Sequence, residues 1–125
     1  RYLDQHMALY NENVLYLATG RSRLSLPPQD IVYSLNLLAS HEDGPATGII
    51  NFMHGLLKPG GVAILGTFLP ANPTRAFMDH VLEWRLIHRD IEAMNRLFAA
   101  SHFGRASSRI KLDDQKIAAL AECVR

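Results

Sequence analysis

The chain has 125 residues, 48% of them hydrophobic, and 13 Lys plus Arg against 12 Asp plus Glu leave a net charge of +1. That length allows one modest core, and so balanced a charge excludes electrostatic capture of nucleic acid or of an acidic membrane surface as the main source of binding. A single cysteine, Cys123, excludes an internal disulfide framework and points to a packed thiol in a reducing, cytoplasmic setting.

Arg1 to Asp4 reads as the end of a strand. Gln5 to Leu17 places Met7, Leu9, Tyr10, Val14 and Leu17 mostly three and four residues apart, which predicts a helix. Thr19 to Arg23 is a polar break, and Pro27-Pro28-Gln29-Asp30 is a stiff approach that excludes helix. Ile31 to Leu38 is apolar without clean alternation, as a parallel strand covered on both faces should be. His41 to Gly44 is expected to be a loop. Thr47 to Leu57 carries Ile49, Ile50, Phe52, Met53, Leu56 and Leu57 on one stripe, an amphipathic helix.

The next stretch is the most specific locally. Lys58 suits the last turn of a helix, Pro59 stops it, and a glycine of the Gly60-Gly61 pair can take positive φ, so the chain reverses into a strand over Val62 to Phe68. Pro70 to Pro73 is a loop. From Thr74 to about Ala100 the pattern is helical in two pieces, with Asp90 capping the second. In this segment Phe77, Trp84 and Leu86 are expected to pack, and Arg85 and Arg89 to face solvent. Ser107 to Leu112 and Ile117 to Val124 fit an antiparallel hairpin. The order predicts an α/β sheet, mostly parallel, with that hairpin at its end. No apolar run reaches the roughly 18–20 residues of a membrane span, and no signal peptide is visible. The opening on Arg1 leads to the expectation of a longer parent chain.

Open α/β sheets bind ligands beyond the carboxyl ends of their parallel strands. That rule singles out Asp4, which either holds a ribose diol or caps the helix from Gln5, and Ser34 and Asn36, which either meet a ligand or bond to backbone. Six histidines invite a metal reading. His80 and His88 lie about two turns apart on one helix and cannot share an ion, and His80 with Glu83 makes only two ligands, so no metal is expected. Neither GxSxG, a Walker loop, GxGxxG nor a Ser-His-Asp order occurs.

"DIVYSLNLLAS" followed by "FMHGLLKPGGVAILGTF" resembles the second half of a class I S-adenosylmethionine-dependent methyltransferase, a Rossmann-like sheet. "NPTRAFMDHVLEWRLIHRD", Asn72 to Asp90, is similar to the same region of a bacterial methyltransferase group named after the synthesis of 3-hydroxypalmitic acid methyl ester. Its members show an Asn-Pro and then Met-x-x-x-Leu-x-Trp-x-Leu-Ile-x-Arg. "LDQ" at Leu3 to Gln5 matches the end of that group's second strand.

The resemblance implies an enzyme that binds S-adenosylmethionine through Asp4 on the ribose, with Ser34 and Asn36 as further cofactor contacts and Trp84 and His88 on the substrate side. It implies that residues 1–125 are the C-terminal part of one domain, whose first strand and glycine-rich loop lie upstream. The acceptor it implies is a small-molecule oxygen nucleophile such as a fatty-acid carboxylate; a second copy of the chain or an upstream domain is the other partner. Relatives carry a Gly and then an Asp-Tyr pair after this strand, where this chain has Asn36, Ala39 and Ser40. That departure keeps a rival open: a non-catalytic module of the same fold, serving dimerisation or regulation of a fused domain.

Overall fold

Two chain reversals set the architecture, one at Lys58-Pro59-Gly60-Gly61 and one at Asp113 to Lys116. The computed structural model describes residues 6–125. Its helices are α1 (Val14–Ala18), α2 (Asp43–Leu56), α3 (Arg75–His80) and α4 (Ile91–Ala100). Its strands are β1 (Gln29–Ser34), β2 (Leu57–Phe68), β3 (Arg109–Leu112) and β4 (Ala118–Val124), and Leu37–Ser40 form a 3-10 turn. The strands lie in the order β1-β2-β4-β3. β1 and β2 run parallel, and β4 opposes both β2 and β3. Three strands therefore share one direction and β4 alone reverses, which bears out the mixed α/β sheet.

At the first reversal, Gln29 pairs with Leu57 and Ile31 with Val62, so residues 58–61 bulge out opposite Asp30 alone. Gly60 supplies the positive φ, at 81°. A Cβ on Gly61 would come within 2.9 Å of the Lys58 carbonyl oxygen and 3.1 Å of the Asp30 carbonyl oxygen. Arg125, just past β4, clasps the turn. Its N–H donates to Gly61 O and its carbonyl accepts from Gly60 N. Its guanidinium donates to His54 O and Leu57 O where α2 ends. At the second reversal the Asp113 carboxylate accepts from the Ile117 and Ala118 N–H groups, which closes the hairpin as expected. Asp90 caps α4 by accepting from Ala93 N at 2.7 Å, also as expected.

α2 and α4 cover one face of the sheet. Ile49, Ile50 and Met53 of α2 and Met94, Leu97 and Phe98 of α4 meet Ala63, Leu65, Ala121 and Cys123 there. Burial pushes the Cys123 thiol up to about 11, the packed thiol the sequence led us to expect.

Four expectations are corrected. Residues 7–13 are not helical, and α1 begins only at Val14. Asn13 accepts from Leu15 N, and Glu12 accepts from Asn13 N and Ser22 Oγ; such local bonds compete with helix. The Ser22 bond, then the Asn13 bond, holds the exposed Glu12 carboxyl below its usual range. The strand expected over Ile31 to Leu38 begins at Gln29 and ends at Ser34, because Leu35 bends over Gly66. α2 starts at Asp43 rather than Thr47; Pro45 sits in the first turn, where its missing N–H costs nothing. Between α3 and α4, residues 81–90 form an irregular strap, whose Ile87 and Arg89 N–H groups bond to carbonyls far away in sequence.

Candidate functional site

The parallel pair β1–β2 ends with Ser34 beside Leu65 and with Phe68. Each strand then feeds a loop: Leu35 and Asn36 lead into the 3-10 turn, and Leu69 to Thr74 lead into α3. The strap returns between these two loops. Ile87 N donates to Ala39 O at 2.8 Å, and Arg89 N donates to Phe68 O at 3.0 Å. Glu83 takes a φ of 52° where the chain leaves α3, a conformation that costs a non-glycine residue about 1–2 kcal/mol. Trp84 N bonding to Met78 O holds that bend.

Arg89, expected in solvent, is 4% exposed. Its guanidinium donates to Leu38 O at 2.8 Å, to His41 O at 2.6 Å and to Asp43 Oδ1 at 3.1 and 3.2 Å. Leu86 is buried as expected, packing with Ala39 and Met78 against Phe68. Phe77 and Trp84, expected to pack, are about half exposed, Trp84 at 49%. Phe77 lies on the outer side of the short α3, and for Trp84 the helical spacing that suggested a packed stripe does not exist in an irregular strap.

A polar network lies beneath the strap. Asn72 is buried, and its Oδ1 accepts from Thr74 N at 3.0 Å and Thr74 Oγ1 at 2.8 Å. Its amide nitrogen is thereby aimed at His88 Nε2, 3.4 Å away, and at Met78 Sδ. His88 Nδ1 lies 3.1 Å from Leu86 O, which only accepts, so Nδ1 carries the hydrogen and Nε2 accepts from Asn72. The ring nitrogens thus meet Leu86 O in the strap and Asn72 in the loop before α3, and the ring leans on Phe68 at 6.0 Å between centroids. This His88 orients the strap.

The cofactor candidates are placed differently. Asp4 lies outside the described residues. Ser34 is half-buried at the end of β1, and its hydroxyl has no partner among the described residues. Asn36 is exposed at the start of the 3-10 turn, off the strand, and its side chain makes no capping bond. These two uncommitted groups, each able to donate and accept, fit the hydroxyls or base edge of a nucleoside. The structure brings Ser34 and Asn36 to one loop and Trp84 and His88 to the strap joined to that loop.

Sequence reasoning missed Arg89, Asn72 and Gly66. Only Gly66 carried a signal: a glycine inside an apolar strand marks close backbone approach, here by Leu35. A groove of about 510 Å³ lined by Leu69, Pro70, Ile91, Leu112 and Lys116 opens toward the hairpin and includes none of the candidates. Among the described residues no three His, Cys, Asp or Glu side chains converge as metal ligands, and no helix is long and apolar enough to cross a membrane.

No protein-family model and no curated protein matches the chain. Solved structures do. An O-methyltransferase family protein from Burkholderia thailandensis aligns over 99% of this chain and 37% of its own, with 14% identity and a TM-score of 0.71. OxaC in complex with SAH and oxaline aligns over 91% of this chain and 28% of its own, with 12% identity and a TM-score of 0.68. The pyocyanin biosynthetic protein PhzM aligns over 91% and 33%, with 14% identity and a TM-score of 0.66. At such identities the likeness is one of fold alone: the chain shares the fold of part of these proteins and spans about a third of their length.

Proposed function

We propose that the chain is part of an S-adenosylmethionine-dependent methyltransferase whose cofactor lies against the carboxyl end of β1. The observation that supports this most is the pair of uncommitted side chains, Ser34 and Asn36, at the end of a parallel strand. The fold around them is shared with a structure that holds SAH. Asp4, one strand upstream in the reading of the sequence, takes the ribose diol. The first strand and the glycine-rich loop belong upstream of Arg1 and pair along the open edge of β1.

Bound there, S-adenosylmethionine would supply an electrophilic methyl group to an acceptor oxygen and would leave as S-adenosylhomocysteine. The chain's own work is to bind, orient and exclude water. Ser34 and Asn36 fix the nucleoside end by hydrogen bonds. Phe68, Leu86 and Trp84 put apolar surface beside the strand ends, which strips water from the acceptor oxygen and raises its nucleophilicity. Holding two reactants in register supplies much of the acceleration, so no covalent link to the protein is required. The acceptor is a small oxygen nucleophile, and the likeness of Asn72 to Asp90 to the ester-forming group favours a fatty-acid carboxylate.

The rival reading, a non-catalytic module, draws on Ala39. That residue is buried and its carbonyl serves Ile87 N, so no acidic or phenolic side chain projects from this position.

Calorimetric titration of the full-length protein with S-adenosylhomocysteine tests the reading. Asp4→Ala should weaken binding by about 1.5–3 kcal/mol, the range for hydrogen bonds to a charged group, and Ser34→Ala or Asn36→Ala by about 0.5–1.5 kcal/mol each. Absence of binding to the wild-type protein, or affinity untouched by all three substitutions in folded protein, would sink it.

A further inference from the structure

Among the described residues Arg89 alone is a buried charged side chain, and its bonds do not stay within the strap. Two of its three acceptors are the main-chain carbonyls of Leu38 and His41, and the third is Asp43 Oδ1. They span the turn that follows Ser34 and Asn36 and the start of α2. The backbone N–H of the same residue is fixed to Phe68 O at the end of β2. One residue therefore joins the end of β2 to the turn that follows β1.

The Asp43 side chain is 80% exposed, so solvent screens that ion pair and it contributes little. The carbonyl contacts matter more. A planar fork with donors in fixed directions can satisfy acceptors at Leu38 and His41 together, whereas an ammonium of similar length reaches one at a time. A guanidinium buried without its carbonyls would be an unpaired charge, which is strongly unfavourable. The arc from Leu38 to Asp43 thus has one curvature that satisfies Arg89. The strap cannot slide along that arc while the bonds persist. Ile87 N to Ala39 O ties a second point of the same seam.

We infer that Arg89 is a positioning residue that couples the loop after β1 to the strap carrying Trp84, so that a ligand ordering the one orders the other. The inference rests on the methyltransferase reading for the identity of that ligand, and on geometry alone for the coupling.

Amide hydrogen exchange on the full-length protein, with Arg89→Lys as the fold-preserving variant and Arg89→Met as the variant without donors, tests it. Without ligand, the amides of His41 and Ile87 should exchange faster together in both variants, by roughly tenfold in Arg89→Met and less in Arg89→Lys, while those of Met94 and Ala121 keep wild-type rates. Adding S-adenosylhomocysteine should slow exchange at both His41 and Ile87 in the wild-type protein. In Arg89→Lys it should still bind and slow His41, but no longer slow Ile87. A residue that merely filled space would leave that ligand-linked response intact. Wild-type rates at Ile87 in both variants, or equal ligand protection of Ile87 in Arg89→Lys, would overturn the coupling. A wild-type protein that does not bind S-adenosylhomocysteine overturns the methyltransferase reading instead, and the ligand-free rates still decide the role of Arg89.

Discussion

The two faces of this sheet are built from the same strands and are finished differently. Under α2 and α4, Phe98, Ile50, Ala63 and Leu65 lose all contact with solvent. On the other face Ile31 and Leu120 are exposed, and Tyr33 is 69% exposed. Strand alternation explains the division, since Val32 points inward between Ile31 and Tyr33. It does not explain the composition, because Ile31 and Tyr33 are as apolar as a covered face would require. Stability therefore resides in the covered face. The polar groups proposed to meet a ligand stand at the end of β1, the strand with the most exposed apolar side chains. Binding can be perturbed there with little loss of fold.

The largest expected contrast lies within that comparison. Phe98→Ala should cost about 3–5 kcal/mol, whereas Tyr33→Thr, which keeps a strand-forming residue on the open face, should stay within about 0.5 kcal/mol. Urea denaturation of the two variants measures both, and similar costs would show that the open face is covered too.

Next comes a pH effect confined to the covered face. The folded Cys123 thiol titrates near 11 against its ordinary 9.0. The folded state thus keeps a proton that the unfolded chain releases first, so its contribution is whole below pH 9 and drains away as pH rises toward 11. The difference amounts to about 2–3 kcal/mol. Cys123→Ala should flatten that part of the alkaline stability curve; an unchanged slope between pH 9 and 11 would mean the thiol is already accessible.

Gly66→Ala should cost about 1–3 kcal/mol, because the new Cβ would overlap the Leu35 carbonyl. It should also weaken S-adenosylhomocysteine binding by displacing Asn36, so stability and affinity fall in one variant. Smallest is Trp84→Ala, about 1 kcal/mol for a half-exposed ring. A cost of 3 kcal/mol or more by the same denaturation assay would show the ring buried in solution.

What could be read from the sequence shares one property: the residues and their partners are close along the chain. Gly60 supplies the positive φ of the bulge that opens β2, Asp90 caps Ala93, and Asp113 receives Ile117 and Ala118. What could not be read depends on distant partners. Arg89 meets Leu38 and Asp43, and its burial could not be inferred from a helical spacing that placed it on a wet side. Met7, Leu9 and Tyr10 mimic a helix stripe but are exposed, so periodicity without a packing surface predicted the wrong structure. Ser34 was legible as a strand-end polar residue, whereas Asn36 was placed on the strand because nothing in "SLNLL" announces that Leu35 bends over Gly66.

The central claim, that the end of β1 and the strap belong to one ligand site, is tested most directly by nuclear magnetic resonance on the isotope-labelled full-length protein. On addition of S-adenosylhomocysteine, the amides of Ser34 to Ser40 should shift most and those of Leu86 to Arg89 next. The hairpin amides from Arg109 to Val124 should hold their positions. Shifts concentrated in the hairpin, or none at saturating ligand, would contradict the account.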